Sequence, residues 1–165
     1  MKKNKAYKYR IYPNEKQKEL FARTFGCCRF VWNRMLEEKQ FWYEKTGKMP
    51  RITPAKYKAE YEWLKEVDSV ALCNTQLQIE AAFTAFFGKK SGYPKYKSKK
   101  NPKRSYTTNL INNNIRIEGS KIRLPKAGLV SIKLHRQIPE DHRIKSVTVS
   151  QEPGGKYYVS ILTEY

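Results

Sequence analysis

The chain is poor in the residues on which secreted, membrane-bound and hydrolytic proteins depend. Of its 165 residues three are cysteine, Cys27, Cys28 and Cys73, and two of these are adjacent. An odd count with a vicinal pair makes no disulfide framework, and no CxxC pair offers zinc-ligand spacing. A reducing, cytoplasmic setting is therefore expected. No apolar run approaches the ~18 residues that a membrane helix requires, and Met1-Lys2-Lys3-Asn4-Lys5 passes into Tyr7-Lys8-Tyr9-Arg10 without an apolar signal core. Acids are scarce: 15 Asp and Glu against 34 Lys and Arg, with Asp68 and Asp141 the two aspartates. Two-metal phosphoryl transfer needs several clustered carboxylates, and none are displayed. His135 and His142 stand apart and read as surface positions rather than metal ligands. Cys27-Cys28 at a helix start could have a lowered thiol pKa, but burial is the plainer reading. No catalytic residue, metal site or cofactor is expected, so the residues point away from an enzyme.

What the chain does have is cation. Its net charge is +19 and its pI near 9.9, with 39% hydrophobic and 13% aromatic residues, enough apolar material for a packed core. The charge is clustered. Residues 1–13 hold five basic side chains and 88–104 hold eight, neither stretch with an acid. A merely soluble surface intersperses both signs, so this clustering has the form of an electrostatic footprint for phosphates.

Hydrophobic periodicity divides the chain. Tyr7, Tyr9 and Ile11 alternate with Lys8 and Arg10, which predicts a half-buried strand ended by Pro13. Asn14 reads as a helix N-cap, with Gly26 as a C-cap or corner before a second helix over 27–44. Thr53-Pro54 opens a short helix over 55–61, and Asp68 caps a longer one that Gly88 stops after Phe87. Leu72, Ile79, Phe83 and Phe86 share one face of it. Beyond residue 104 the pattern turns to short strands, with Gly154-Gly155 a hairpin signal. A lone first strand would leave its backbone unpaired, so it should pair with the C-terminal strands. The expected fold is α+β: a small barrel from residues 1–13 and 105–165, an inserted helical domain at 14–87, and a basic linker at 88–104.

Candidate contacts follow the charge. In the leading strand they are Lys5, Lys8 and Arg10. In the linker Lys89, Lys90, Lys95, Lys97, Lys99, Lys100, Lys103 and Arg104 would neutralise phosphates, while Tyr93 and Tyr96 either stack on bases or tuck into the core. Arg51 and Lys56 flank a helix start, suited to phosphate or guanine edges but equally to an exposed cap. Ser69, Cys73 and Gln76 share a helix face that reads as solvated or as DNA-facing. Asn112 and Asn113 read first as a turn and second as base-reading amides.

The ordered set Asn4–Asn14, Arg29-Phe30-Val31-Trp32-Asn33, Trp63–Ser69, Ala82-Phe83, Phe86-Phe87, Gly92–Lys97, Asn112–Ile115, Ile122–Gly128 and the final strand resembles TnpB, the OrfB-type protein of bacterial insertion sequences. The likeness spans essentially the whole chain. It implies the wedge barrel and helical recognition lobe of an RNA-guided DNA endonuclease, older descriptions of which call the lobe helix-turn-helix. Carried over by position, contacts to a target-adjacent motif would fall near Ile52, Lys56, Ser69, Cys73 and Ile111, whose side-chain types depart from the family's polar ones. In the family a RuvC nuclease domain and a zinc insert follow the strand resembling residues 157–165, and neither is in this sequence. The resemblance thus implies a module without catalytic capacity of its own, bacterial or archaeal and nucleoid-associated when bound. Its partners would be a structured guide RNA and target DNA. The rival reading is a conventional helix-turn-helix protein that binds duplex DNA directly.

Overall fold

Alternation at the start of the chain becomes β1, Asn4–Tyr12, with Tyr7, Tyr9 and Ile11 buried and Lys8 turned outward. The computed structural model describes residues 1–101 and 104–165. Among them the elements that follow are α1 (Glu15–Thr46), α2 (Pro54–Glu60), a 3₁₀ turn (Glu62–Glu66) and α3 (Ser69–Phe87). Six further strands complete the chain: β2 (Arg104–Asn109), β3 (Arg116–Glu118), β4 (Lys121–Leu124), β5 (Gly128–Lys133), β6 (Arg143–Gln151) and β7 (Tyr157–Glu164). The seven strands form one sheet in the order β2-β6-β7-β1-β5-β4-β3, antiparallel at every pairing, an open half-barrel. The fold is α+β, with the helices inserted between the first strand and the rest.

The expectation for β1 is met directly. It pairs with β7 from Asn4↔Glu164 to Ile11↔Tyr157 and with β5 through Arg10↔Lys133, so ladders on both sides satisfy its backbone groups.

Two compact units divide the chain. The first comprises Met1–Phe25 with Pro102–Tyr165, the second Gly26–Asn101. In the first, Ile122, Val130, Val147, Val149, Val159 and Ile161 are fully enclosed on one side of the sheet. Each such burial contributes about 1.5–3 kcal/mol. Phe21 lies 6.1 Å from Tyr106 and 6.0 Å from Tyr157, ring to ring, and Phe25 5.8 Å from Tyr106. Asn14 caps α1 reciprocally: Gln17 N–H donates to Asn14 Oδ1 (2.8 Å) and Asn14 N–H to Gln17 Oε1 (2.9 Å). The same Gln17 amide donates to the Ala127 and Leu129 carbonyls, tying the helix start to β5.

In the second unit Val31, Met35 and Leu36 of α1 and Leu72, Ile79 and Phe83 of α3 form the core, with Tyr57 and Leu64 enclosed. Asp68 caps α3 as expected, accepting from Val70 N–H at 3.0 Å.

One expectation is corrected. Gly26 does not end a helix: α1 runs unbroken from Glu15 to Thr46. Its buried positions, Phe21, Phe25, Cys28, Trp32, Met35 and Lys39, keep helical spacing through the glycine. That packing outweighs the cost of about 1 kcal/mol for an interior glycine. Thr53 is the N-cap of α2, with Pro54 at its first turn, and the cap is made without a side-chain hydrogen bond. No helix among the described residues is long and apolar enough to cross a membrane.

Candidate nucleic-acid interface

The outward side of the sheet unit carries a cationic groove. Strand alternation sends Lys8 and Arg10 away from the core. Register then sets Arg10 beside Lys133 of β5 on one side and Tyr158 of β7 on the other. These three, with Lys8, His135 and Glu152, line an open depression of about 570 Å³. Lys8 Nζ lies 3.2 Å from Glu152 Oε1 and 4.7 Å from the Tyr158 ring centroid. The Arg10 guanidinium lies 4.9 Å from the Tyr12 ring, and its Nε is shielded with no protein acceptor. One carboxylate among three basic side chains leaves the groove net positive, with donors to spare for phosphate oxygens.

Behind it, Tyr9 O–H donates to the Arg136 carbonyl at 2.8 Å and its ring meets His135 at 5.3 Å. Burial raises the Tyr9 pKa, against the nearby Arg136 charge, so the phenol stays a neutral donor. Lys5, at the strand end, is exposed and reaches over Tyr7 at 5.3 Å.

The helical unit presents its cations differently. Where α3 ends, Lys89 N–H donates to the Phe86 carbonyl and Lys90 N–H to that of Ala85, a Schellman closure. The left-handed position falls on Lys89 (φ +60°), not on Gly88, which is the cap itself at φ −80°. A lysine there costs about 1–2 kcal/mol relative to right-handed geometry.

The stretch beyond has no regular structure, yet α1 straps it down. Trp32 Nε1–H donates to the Lys95 carbonyl (2.8 Å), Asn33 Nδ2–H to that of Lys97 (3.0 Å), and Lys97 N–H returns to Asn33 Oδ1 (2.8 Å). Lys97 Nζ sits 4.3 Å from the Trp32 ring centroid. Burial of its ammonium lowers its pKa, though the residue as a whole is exposed. Lys97 is thus partly engaged by the protein, whereas Lys89, Lys90, Lys95, Lys99 and Lys100 are exposed.

The tyrosines part ways. Tyr93 packs edge-on against Phe83 (5.5 Å) and Phe86 (5.1 Å), while Tyr96 is 56% exposed and open to stacking.

The remaining candidates are scattered over both units. Arg51 is exposed, and Lys56 is ion-paired to Glu38. Ser69 and Cys73 are exposed on α3. Two need correction as contact residues: Ile52 is 6% and Gln76 7% exposed. Isoleucine enters the core because it is apolar, and the Gln76 amide is occupied by Glu80 Oε1 at 3.3 Å. Arg104 is half-exposed at the start of β2, facing Gln151. Ile111, Asn112 and Asn113 are exposed on a turn, with left-handed φ of +52° and +60° at the two asparagines. Lys103 lies outside the described residues. Among the described residues no group of three or more His, Cys, Asp or Glu could hold a metal ion.

Lys133 and Tyr158 carry no contact signal in the sequence, and His135 reads there only as a surface position, although all three lie in or beside strands that alternation locates. Their signal was the outward phase of β5 and β7, legible only once both are known to flank β1.

An open half-barrel with a cationic outer groove, interrupted by a helical unit bearing a strapped basic segment, defines a class of small α+β protein suited to a polyanion. Comparison with known proteins gives the family. A family model described as a helix-turn-helix domain, of the OrfB IS605 type, matches residues 1–48. The chain is 35% identical over 170 aligned residues to a putative RNA-guided DNA endonuclease of Streptomyces pristinaespiralis, covering 97% of the chain and 41% of that protein. It is 33% identical over 172 to the putative RNA-guided DNA endonuclease InsQ of Escherichia coli K12, covering 99% and 41%. With the virulence protein VsdF of Salmonella dublin it shares 32% over 113 residues, 58% of the chain and 93% of that protein. The chain belongs to the OrfB (TnpB) family of insertion-sequence proteins. It spans about two fifths of the length of the two endonuclease relatives it matches.

Proposed function

We propose that this chain is a nucleic-acid-gripping module that holds a structured guide RNA and its heteroduplex with target DNA through their phosphates. Base pairing supplies sequence specificity, and the module does no hydrolysis itself. The observation that carries this reading is the groove of Lys8, Arg10 and Lys133, three cations brought together from β1 and β5. The names of the two endonuclease relatives supply the kind of nucleic acid. The exposed lysines of 89–100 provide a second set of phosphate contacts. Ser69, Cys73 and the 111–113 turn are the solvent-facing candidates for contacts to DNA beside the target.

The test is a salt titration of the full chain with a structured RNA. Affinity should fall by orders of magnitude between ~50 and ~200 mM salt if ~6–10 phosphates are engaged. The triple variant Lys8→Ala, Arg10→Ala, Lys133→Ala should flatten the log–log slope by about 2–3, and replacement of Lys89, Lys90, Lys95, Lys99 and Lys100 by about 4. An unchanged slope in both variants defeats the reading.

The description of the matched family model favours a second reading, direct recognition of duplex DNA. The span it matches holds β1 and the single continuous helix α1. Competition decides between the two: site-specific preference for duplex DNA over structured RNA supports the second, and the reverse supports the first.

A further inference from the structure

The helical unit holds a second, chemically distinct cavity of about 340 Å³, between the C-terminal half of α1, the loop after it and α3. Its size is at the small end of ligand sites, suited to one flat group rather than a chain. One wall is aromatic: Phe87 is 47% exposed, and the buried Phe83 lies nearly parallel beside it, 6.3 Å away with 26° between planes. Its polar groups are of both signs. Lys39 is only 2% exposed, and its ammonium donates to the Pro50 carbonyl at 2.7 Å, which takes one of three donors. Arg51 stands exposed among the lining residues. Glu80 supplies a carboxylate whose Oε1 accepts from Gln76. Burial lowers the Lys39 pKa and Glu80 opposes that shift, which places the carboxylate within electrostatic reach of the ammonium.

We propose that this cavity receives a single unstacked guanine base. A ligand here must be flat, with an apolar face for the exposed Phe87 ring. It must offer acceptors to Lys39 and Arg51 and donors to Glu80. Guanine carries O6 and N7 as acceptors and an amino donor at N2. Adenine would turn a ring-nitrogen acceptor toward the carboxylate, and a pyrimidine covers less of the Phe87 ring. The site also adjoins the phosphate-facing segment in sequence, since α3 ends at Phe87 and Lys89 and Lys90 follow at once. A strand running along those lysines could therefore drop one base beside Phe87.

The experiment titrates the full chain with GMP, AMP, CMP and UMP, which share one phosphate, so differences among them report the base. GMP should bind at least about tenfold more tightly than AMP. Glu80→Gln should remove about tenfold from GMP binding and leave AMP unchanged. Phe87→Ala, at an exposed position, should weaken all four by about fivefold or more. Equal binding of the four nucleotides, or a Glu80→Gln protein that still prefers GMP as before, overturns the proposal. The result separates from that of the polyanion reading. Loss of the guanine preference with the salt slope intact counts against the pocket alone. A flat salt response with the preference intact counts against the groove alone.

Discussion

The two units present positive charge by opposite means. In the sheet unit Lys8, Arg10 and Lys133 project from strands whose backbones are locked by cross-strand ladders, so spacing between cations follows from register. In the helical unit the lysines of 89–100 ride on backbone without regular structure, held by the side chains of Trp32 and Asn33. The groove is thus pre-formed at the level of secondary structure, while the segment depends on two residues of one helix. Pre-organisation lowers the ordering cost of binding in both cases, but only in the second can it be removed without touching the fold of a sheet.

That contrast can be broken deliberately. The largest effect should come from Trp32→Ala, which deletes an indole only 8% exposed together with its bond to Lys95. A loss of about 3–5 kcal/mol is expected in denaturant unfolding of the helical unit. If the sheet unit lost as much, the asymmetry drawn here would be false.

Cys28 offers a second probe, because it lies beneath the strap. Burial pushes its thiol from the usual 9.0 up to about 11, with the Lys97 charge pulling weakly the other way. The folded value exceeds the unfolded one. The thiol's contribution to stability is therefore whole below pH 9 and is lost as pH rises from about 9 to about 11. At pH 8 its alkylation should be about a hundredfold slower than that of an ordinary thiol. Exposed Cys73 should label first. Mass spectrometry of alkylated peptides reads both rates; fast labelling of Cys28 in the intact protein would contradict the burial.

Asn33→Ala is a milder cut. It removes the reciprocal pair with Lys97 and should cost about 1–2 kcal/mol. Hydrogen exchange at the Lys97 amide should accelerate while amides of β1 stay protected. Unaltered exchange at Lys97 would mean that something other than Asn33 holds the segment.

The smallest effect, and of opposite sign, belongs to Lys89→Gly. Relief of the left-handed strain, offset by a freer unfolded chain, should stabilise by about 0.5–1 kcal/mol. RNA affinity should weaken at the same time if the side chain meets a phosphate. A variant that gains stability without losing affinity would show Lys89 to be a cap position and nothing more.

Much of this molecule was legible before any coordinates. The strict alternation of Tyr7, Tyr9 and Ile11 announced β1, and the need to pair its backbone announced its partners at the far end of the chain. Asp68 and Gly88 marked both ends of α3. The continuity of α1 through Gly26 is not legible locally, because glycine is a stop signal in any short window. The buried series from Phe21 to Lys39, which runs straight through it, is a tertiary property. Of the candidate site, the exposed linker lysines could be named from charge alone. Burial of Gln76 could not be, since its helix face looked solvated until Glu80 was seen to take its amide.

Composition and periodicity by themselves determined that this is a strongly cationic α+β chain whose first strand must close onto its last ones. Those are consequences of charge count, side-chain alternation and the obligation of backbone groups to pair. Which cations meet was decided only by tertiary structure. Lys8 and Lys133 are 125 residues apart, and no local rule relates them. Register across β1 and β5 brings them to one groove, just as the packing of α1 against α3 brings Lys39 and Glu80 to another.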